Sequence, residues 1–344
     1  MMIDAPLLAD EMQRGLAWMA SEPRLRGVHL SQRVRPADLS QLRRLRYLDI
    51  ITPWPEEVAM LPGLAELVFL DVKRWDACDA SDGLAGLPGL RGLGIWGCGR
   101  MTGWGVMRRL ERLDLTRVEL ADLQMLAGLT GLRELNIIAS QIAEPSIPAP
   151  GLRRLELHGS VSYEGSPISL RIEPAAGRAA SYDLRALSGL RALEELALFN
   201  ANAFTHGEVL AKLPALRRLA THDAGLLPQI ARMGALERLD LRRAVGVRPR
   251  DLRFLGGRGA RRLTHLALPG VVVAEAVAEL VAARWLRTLV VVSRGEPATI
   301  GALVGLRMRR PDLEIVVSEH EERDLLDRFP ALYEPAVDPW PAKR

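Results

Sequence analysis

One motif constrains this chain more than any other feature: a leucine, two residues, a second leucine or valine, one residue, and a third aliphatic. It returns a dozen times. The first six occurrences are Leu25-x-x-Val28-x-Leu30, Leu45-x-x-Leu48-x-Ile50, Leu67-x-x-Leu70-x-Val72, Leu90-x-x-Leu93-x-Ile95, Leu110-x-x-Leu113-x-Leu115 and Leu132-x-x-Leu135-x-Ile137. The other six begin at Leu152, Leu193, Leu216, Leu236, Leu263 and Leu286, with Thr221 as the single polar third member. Successive starts lie 20, 22, 23, 20, 22, 20, 41, 23, 20, 27 and 23 residues apart. The interval of 41 predicts a hidden degenerate turn around Ile168, Leu170 and Ile172, and a last strand is predicted over Glu314 to Val317.

A strand this short cannot bury its own apolar side, so neighbouring turns must stack and merge their leucines into one core. The alternate residues then face solvent. A second apolar set precedes each strand, at 61–64, 87–90, Leu129–Leu132, Leu187–Leu190 and Leu213–Leu216, and brings the chain back across the far side. Repeats of 20 to 23 residues leave room there only for turns or short helical pieces. The longer turns, 236–262 and 286–312, have room for helices, and Val273–Arg284 has apolar residues at helical spacing.

On these residues the chain resembles the leucine-rich-repeat superfamily, and within it the short-repeat, internalin-like bacterial members, over about residues 24 to 317. The resemblance implies an α/β fold: a right-handed solenoid, or horseshoe, with a parallel concave sheet, turns or short helices on the convex side and helical caps at both ends. It also implies a protein-binding module that works through the concave sheet. One departure is plain. Where that family carries an asparagine after the strand, this chain has Pro53, Trp75, Cys98, Val118, Ser140, Ser160, Ala201, Ala224, Ala244 and Val271. A buried asparagine ladder satisfies backbone groups in the turn, so these turns must find other partners.

A repeat array of 344 residues is read as one domain, since each repeat contacts only its neighbours. Residues 1–22 are expected to form an N-terminal cap, with Leu7, Leu8, Met12, Leu16 and Met19 on one side of a helix. The solenoid follows over 23–317. A C-terminal cap and a Pro-rich tail are expected over 318–344, opened by the capping box Ser318-Glu319-His320-Glu321. The start, with Asp4 and no basic stretch followed by an apolar one, does not read as a secretory signal. No run approaches a membrane span. Two cysteines make no disulfide framework, Cys98 fits a buried turn position, and the expected compartment is the cytoplasm.

In the register above, strand positions three, five, seven and eight point to the concave side. Position three holds Tyr47 and Phe69, position seven holds Trp96, and position five reads Asp49, Asp71, Gly94, Asp114, Asn136 and Glu156. Aromatic rings beside a row of carboxylates suit a lysine- or arginine-bearing segment of a partner. The bland alternative is that the acids only keep the sheet soluble. Arg112, Arg154, Arg218 and Arg238 in neighbouring columns would pair with them and weaken any negative field. The predicted partner-binding set is Tyr47, Asp49, Phe69, Asp71, Trp96, Arg112 and Asp114, with the aromatics ranked first. A competing register, Leu64-x-x-Leu67-x-Phe69, would bury Phe69, and the even spacing of starts argues against it.

The strongest charge signal is the segment 240–262, where Arg242, Arg243, Arg248, Arg250, Arg253, Arg258, Arg261 and Arg262 face Asp240 and Asp251. It carries the runner-up function, an accessory or regulatory protein for nucleic acid or phosphate-bearing targets, with Arg242, Arg243, Arg248, Arg250, Arg253 and Arg258 as contacts. Against it stand few stacking aromatics, a net charge of only +4, and lysine at 73, 212 and 343 alone. The glycines at 92–105 carry no phosphate-loop or dinucleotide pattern. His158 and His222 share position seven but lie several turns apart, too far for one metal, and no cofactor or catalytic group is expected. The Val161–Ser181 stretch is a contact loop or a decayed repeat. The leading reading is a non-enzymatic adaptor, sensor or scaffold for an unidentified protein, with no membrane partner.

Overall fold

The structure, a computed structural model, describes residues 25–30, 42–51, 61–73, 86–97, 107–120, 123–138, 147–158, 181–199, 203–293 and 295–318, with shorter pieces between 14 and 142. Its contacts group the chain into two compact units, Met1–Leu152 with Tyr333–Arg344, and Arg153–Leu332, where the repeat pattern alone suggested one domain.

The first unit contains strands β1 (Gly27–Leu30), β2 (Tyr47–Ile51), β3 (Phe69–Lys73), β4 (Gly92–Trp96), β5 (Arg112–Thr116) and β6 (Glu134–Ile138). The second contains β7 (Arg154–His158), β8 (Glu195–Phe199), β9 (Arg218–Thr221), β10 (Arg238–Asp240), β11 (His265–Pro269), β12 (Thr288–Val292) and β13 (Glu314–Ser318). Within each unit every strand pairs in parallel with the next, motif residue against motif residue, as in Leu70↔Leu93 and Leu219↔Leu239. The two strand leucines alternate with open positions, so both enter the core: Leu70, Val72, Leu113 and Leu115 are fully buried, as are Leu266 and Leu268 within a percent. The first motif leucine closes the layer, with Leu67, Leu193 and Leu216 also fully buried.

The rungs start at the residue before each strand. The Arg46 carbonyl accepts from both Val68 N (2.8 Å) and Phe69 N (2.9 Å), and Arg91, Glu111, Arg153, Glu194 and Arg217 repeat this fork. The register settles the third repeat on Leu67, Leu70 and Val72, because Phe69 faces Tyr47 and Gly92 and not the core. Before the strands the second apolar set descends in steps of three. Leu64 N bonds Leu61 O, Leu132 N bonds Leu129 O and Leu190 N bonds Leu187 O, and all six leucines are buried.

The interval of 41 residues adds no strand to the main sheet, and its short strand Ser181–Asp183 pairs instead with Ala203–Thr205. β7 pairs directly with β8 from Arg154↔Glu195 to His158↔Phe199, so nothing from the expected degenerate turn is inserted between them. The last expected strand is present as β13. The long turns hold helices of different kinds. Pro249–Gly256 is a 3-10 helix whose first turn is tied by Arg248 N donating to Asp251 Oδ2 at 3.0 Å, whereas Pro297–Arg309 is α-helical. The stretch at Val273–Arg284 is broken at the fully buried Ala276 into Gly270–Glu275 and Val277–Ala282.

Turns without asparagine use two substitutes. In the first unit, Gly97 N and Arg117 N, both with positive φ, bond the next strand's last carbonyl, Thr116 O and Ile138 O, each at 2.8 Å. In the second unit side chains take over: Thr221 Oγ1 accepts from Asp223 N, Asp223 Oδ1 from Gly225 N, and Asp240 Oδ1 from Arg242 N. Of the expected N-terminal helix, residues 14, 17–19 and 21 are described and helical, with Met19 buried. The C-terminal cap after Ser318, Cys98, the residues 168–172 and nearly all of 161–181 lie outside the described residues.

Candidate functional site

In each unit the candidate surface is the sheet face turned away from the core, built from strand positions three, five and seven. On the first unit, position three runs Tyr47, Phe69, Gly92, Arg112, Glu134 across β2 to β6. Tyr47 and Phe69 stack face to face, with centroids 5.1 Å apart and planes 6° apart. Gly92 has no side chain to block Phe69: a Cβ there would lie 2.3 Å from the Phe69 ring. The ring therefore leans across β4, and Arg112, one strand further, sets its guanidinium 5.9 Å from the ring centroid.

Position five repeats the device. A Cβ on Gly94 would meet the Asp71 carboxylate at 2.7 Å, so this carboxylate leans over the glycine. Asp49 holds Lys73 at 2.8 Å and Asp114 holds Arg112 at 3.0 Å. Among the described side chains of this face, Asp49, Asp71, Asp114 and Glu134 stand against Lys73, Arg112 and, beside Trp96, Arg117, four acids to three bases. Trp96 is 42 % exposed, with the Arg117 guanidinium 5.8 Å from its ring.

The seven residues expected to bind a partner thus share one face but not one pocket. Tyr47 is the buried end of the stack, at 8 % exposure, and offers little to a partner. Phe69 is half-buried. Trp96 sits four residues along β4 from Gly92, roughly 13 Å at strand rise, so the acids lie between two separate aromatic places.

The second unit's face is built differently. Position five reads Glu156, Ala197, Ala220, Asp240, Ala267, Val290, and the buried alanines with Asp240 between them line a shallow hollow. Position three supplies one wall: Arg154, Glu195, Arg218, Arg238, His265. Arg154 donates to Glu156 at 2.8 Å, Arg218 to Glu195 at 2.6 Å, and Arg242 to both oxygens of Asp240, with its Nη2 at 2.6 Å. Burial raises the Glu156 pKa, but hydrogen bonds and charge from His158 and Arg154 outweigh it and hold the carboxyl at about 2. Burial, then the neighbouring Arg218, lowers the Arg238 pKa. Burial, then Arg238, lowers that of His265, whose Nδ1 lies 2.8 Å from the Thr264 hydroxyl.

The arginine segment does not gather into one surface. Arg242 belongs to the hollow, and Arg243 lies 5.5 Å from the Phe199 ring centroid. Arg248, Arg250 and Arg253 are exposed on the return helix, and the Arg258 side chain lies outside the described residues. His158 packs on Phe199, while His222 packs on Phe204 and reaches Leu198 O. Among the described residues no three His, Cys, Asp or Glu side chains gather as metal ligands, and no helix is long and apolar enough to cross a membrane.

The sequence reading missed the hollow. Its signal was available in the same register: position five turns from acids to alanine at Ala197, Ala220 and Ala267 while arginines repeat in position three.

Neither a family model nor a curated protein matches this sequence. An internalin of Listeria monocytogenes matches in structure over 91 % of this chain and 95 % of its own, at 15 % identity and a TM-score of 0.51. A leucine-rich-repeat protein of Leptospira interrogans matches over 90 % and 86 %, at 14 % identity and a TM-score of 0.44. The likeness to the internalin is one of fold, and with the parallel strand order and the buried leucines it makes this a leucine-rich-repeat fold.

Proposed function

We propose that this leucine-rich-repeat chain is a non-enzymatic protein-interaction module, an adaptor, sensor or scaffold, that engages a partner protein on the open face of its first unit. The observation that carries the reading is Trp96, a large ring 42 % exposed on a strand whose backbone is locked on both sides. An exposed tryptophan on a rigid sheet costs little side-chain entropy on binding and is the residue type most enriched among binding hot spots. Phe69 offers a second ring, and the excess of carboxylates between the two places favours a partner segment with lysine or arginine. Ionised groups on both faces form pairs such as Lys73–Asp49 and Arg154–Glu156, which suits a binding surface better than proton transfer. With two cysteines in the chain, the proposed setting is the reducing cytoplasm.

The test compares proteins captured from the native host's lysate by wild type, by Phe69→Ala with Trp96→Ala, and by the far-side control Arg232→Ala, after thermal melts show that all three fold. A protein retained by wild type and the control but lost with the double variant supports the reading. The same catch with all three overturns the first unit's face as the site.

A further inference from the structure

Each repeat of the second unit turns just before its strand through a pair of residues that precede the first motif leucine: Arg191-Ala192, Pro214-Ala215, Gly234-Ala235, Arg261-Arg262, Arg284-Trp285 and Pro311-Asp312. One bond closes every such turn, from the leucine amide to the carbonyl three residues back, as in Leu263 N to Ala260 O and Leu286 N to Ala283 O, each at 3.0 Å. Only the fourth and fifth turns bring cations side by side. Counting back from the pair His265↔Thr288 sets Arg261 beside Arg284 and Arg262 beside Trp285. The Arg261 guanidinium lies 5.6 Å from the Trp285 ring centroid, and the tryptophan stays 45 % exposed. The turn that carries it is pinned from the next repeat. Arg310, 7 % exposed, donates to Ala283 O and Leu286 O, each at 2.8 Å, and so holds the backbone on both sides of Arg284-Trp285. Of the acids nearby, Asp312 pairs with Arg310 at 2.8 Å, Glu237 pairs with Arg217 at 2.7 Å, and Glu314 accepts from the Thr288 hydroxyl at 3.0 Å. Glu279 is half-buried on Val277–Ala282. The exposed Arg261, Arg262, Arg284 and Arg287 outnumber Glu279 and Glu314, so the edge is basic whichever of them pair.

We propose that this edge of the second unit, centred on Trp285 with Arg261, Arg262 and Arg284 around it, docks an acidic segment of a protein partner. An apolar side chain of the segment rests on the indole, and its carboxylates meet the guanidiniums. Tryptophan and arginine are the residue types most enriched in binding hot spots, and here they stand together on one turn pair. A guanidinium over a ring keeps its in-plane donors for a carboxylate, which it can take in forked form. The bonds from Arg310 fix the turn in advance, so little backbone order is lost when a partner arrives. Burying a guanidinium is costly, and Arg310 spends its donors on the carbonyls of this exposed turn. A single-stranded nucleic acid needs successive rings on which its bases stack. Among the described residues of these turns Trp285 is the one ring, and Arg261 already lies over it. The proposal stands apart from the first unit's face, for which a cationic partner segment is proposed, because the two surfaces call for opposite partner chemistry.

The experiment follows the fluorescence anisotropy of a short labelled peptide, glutamates around a central leucine, as the full chain is added. Its counterparts are the same peptide with glutamine for glutamate and a labelled thymidine oligonucleotide of equal length. The indole NMR signal of Trp285, identified by its loss in Trp285→Phe, reports where the peptide sits. The acidic peptide is expected to bind saturably and to shift that signal, and the glutamine peptide to do neither. Trp285→Ala, which leaves every charge in place, should weaken binding roughly tenfold or more, as truncation of a hot-spot ring does. Arg261→Gln with Arg262→Gln should weaken it by a similar factor. Arg191→Gln, a lone cation at the same place in another repeat, should leave it unchanged. All these positions are exposed, so the variants should melt with wild type, which is checked first. No saturable binding of the acidic peptide, equal binding by Trp285→Ala, an equal loss in Arg191→Gln, or tighter binding of the oligonucleotide each overturns the proposal, and the last would make this edge a nucleic-acid surface.

Discussion

Both units carry a small residue at successive places on the open face, and the two outcomes are opposite. Over Gly92 and Gly94 the preceding strand's Phe69 and Asp71 lean in and occupy the space, so the first unit's face is filled. Ala197, Ala220 and Ala267 are buried, yet their short side chains line a hollow that remains. The difference lies in the neighbours. Glu156 and Asp240 could swing over the adjacent alanines, but Arg154 with His158 holds the first and Arg242 holds the second. A small residue thus yields a pocket only when the side chains beside it are tied elsewhere.

The largest effects should show that this contrast is confined to the open faces. Leu113→Ala in the first unit and Leu219→Ala in the second remove buried motif leucines of the same kind, at 0 % and 2 % exposure. Each should cost about 3 kcal/mol in urea unfolding, as large-to-small core changes do. A marked inequality would mean that the two cores differ as well. Next come the small residues themselves. Gly92→Val forces Phe69 away and should destabilise by about 2 kcal/mol as an overpacked site. Ala220 is buried but lines the hollow, so Ala220→Val has room for its added methyls and its cost should stay below about 1 kcal/mol. Equal costs in the two variants would remove the distinction between a filled and an open face.

The repeat spacing made the fold legible because the chain writes the same physical instruction in every turn, and the pairing of Leu70 with Leu93 follows from counting alone. The even spacing of starts also chose the right register for Phe69. Counting failed at the longest interval: 41 residues looked like two repeats, yet β7 and β8 pair directly. The sites were less legible. Placing Tyr47, Phe69 and Trp96 on one face was within reach, but Tyr47's burial depends on the angle at which Phe69 leans, which a one-dimensional register does not hold. The arginines of position three were read as neutralisers of the acids. That holds for Arg112, Arg154 and Arg218.

The ties that keep the second hollow open can be loosened with acid. Glu156 titrates at about 2 in the fold against an ordinary 4.5, so the fold favours its ionised form. With a depressed folded pKa, the contribution is complete above about pH 4.5 and fades as pH falls toward 2. Allowing for solvent at a partly exposed pair, it is on the order of 1–2 kcal/mol. Stability measured from pH 6 down to pH 2 should therefore fall less steeply in Glu156→Gln than in wild type. Parallel curves would show that Arg154 and His158 do not hold this carboxylate as described.

The smallest effect tests the filled face. Arg112 is about half exposed, donates to Asp114 at 3.0 Å and lies over the Phe69 ring, so it joins the aromatic stack to the acid row. Its ion pair is solvated and should contribute only a few tenths of a kcal/mol. Its contact with the ring adds about 0.5–1 kcal/mol at an exposed site. Arg112→Ala should cost the sum, close to 1 kcal/mol, and high salt should recover little of it, since the ring contact depends on planar packing as well as charge. Arg112→Lys separates the two parts: it keeps the charge for Asp114 and loses the flat face for Phe69, so it should fall between wild type and alanine. In Gly92→Val, with the ring already displaced, Arg112→Ala should cost only the ion pair. If it costs as much there as in wild type, Gly92 is not what brings Phe69 and Arg112 together, and the filling of the first face needs another cause.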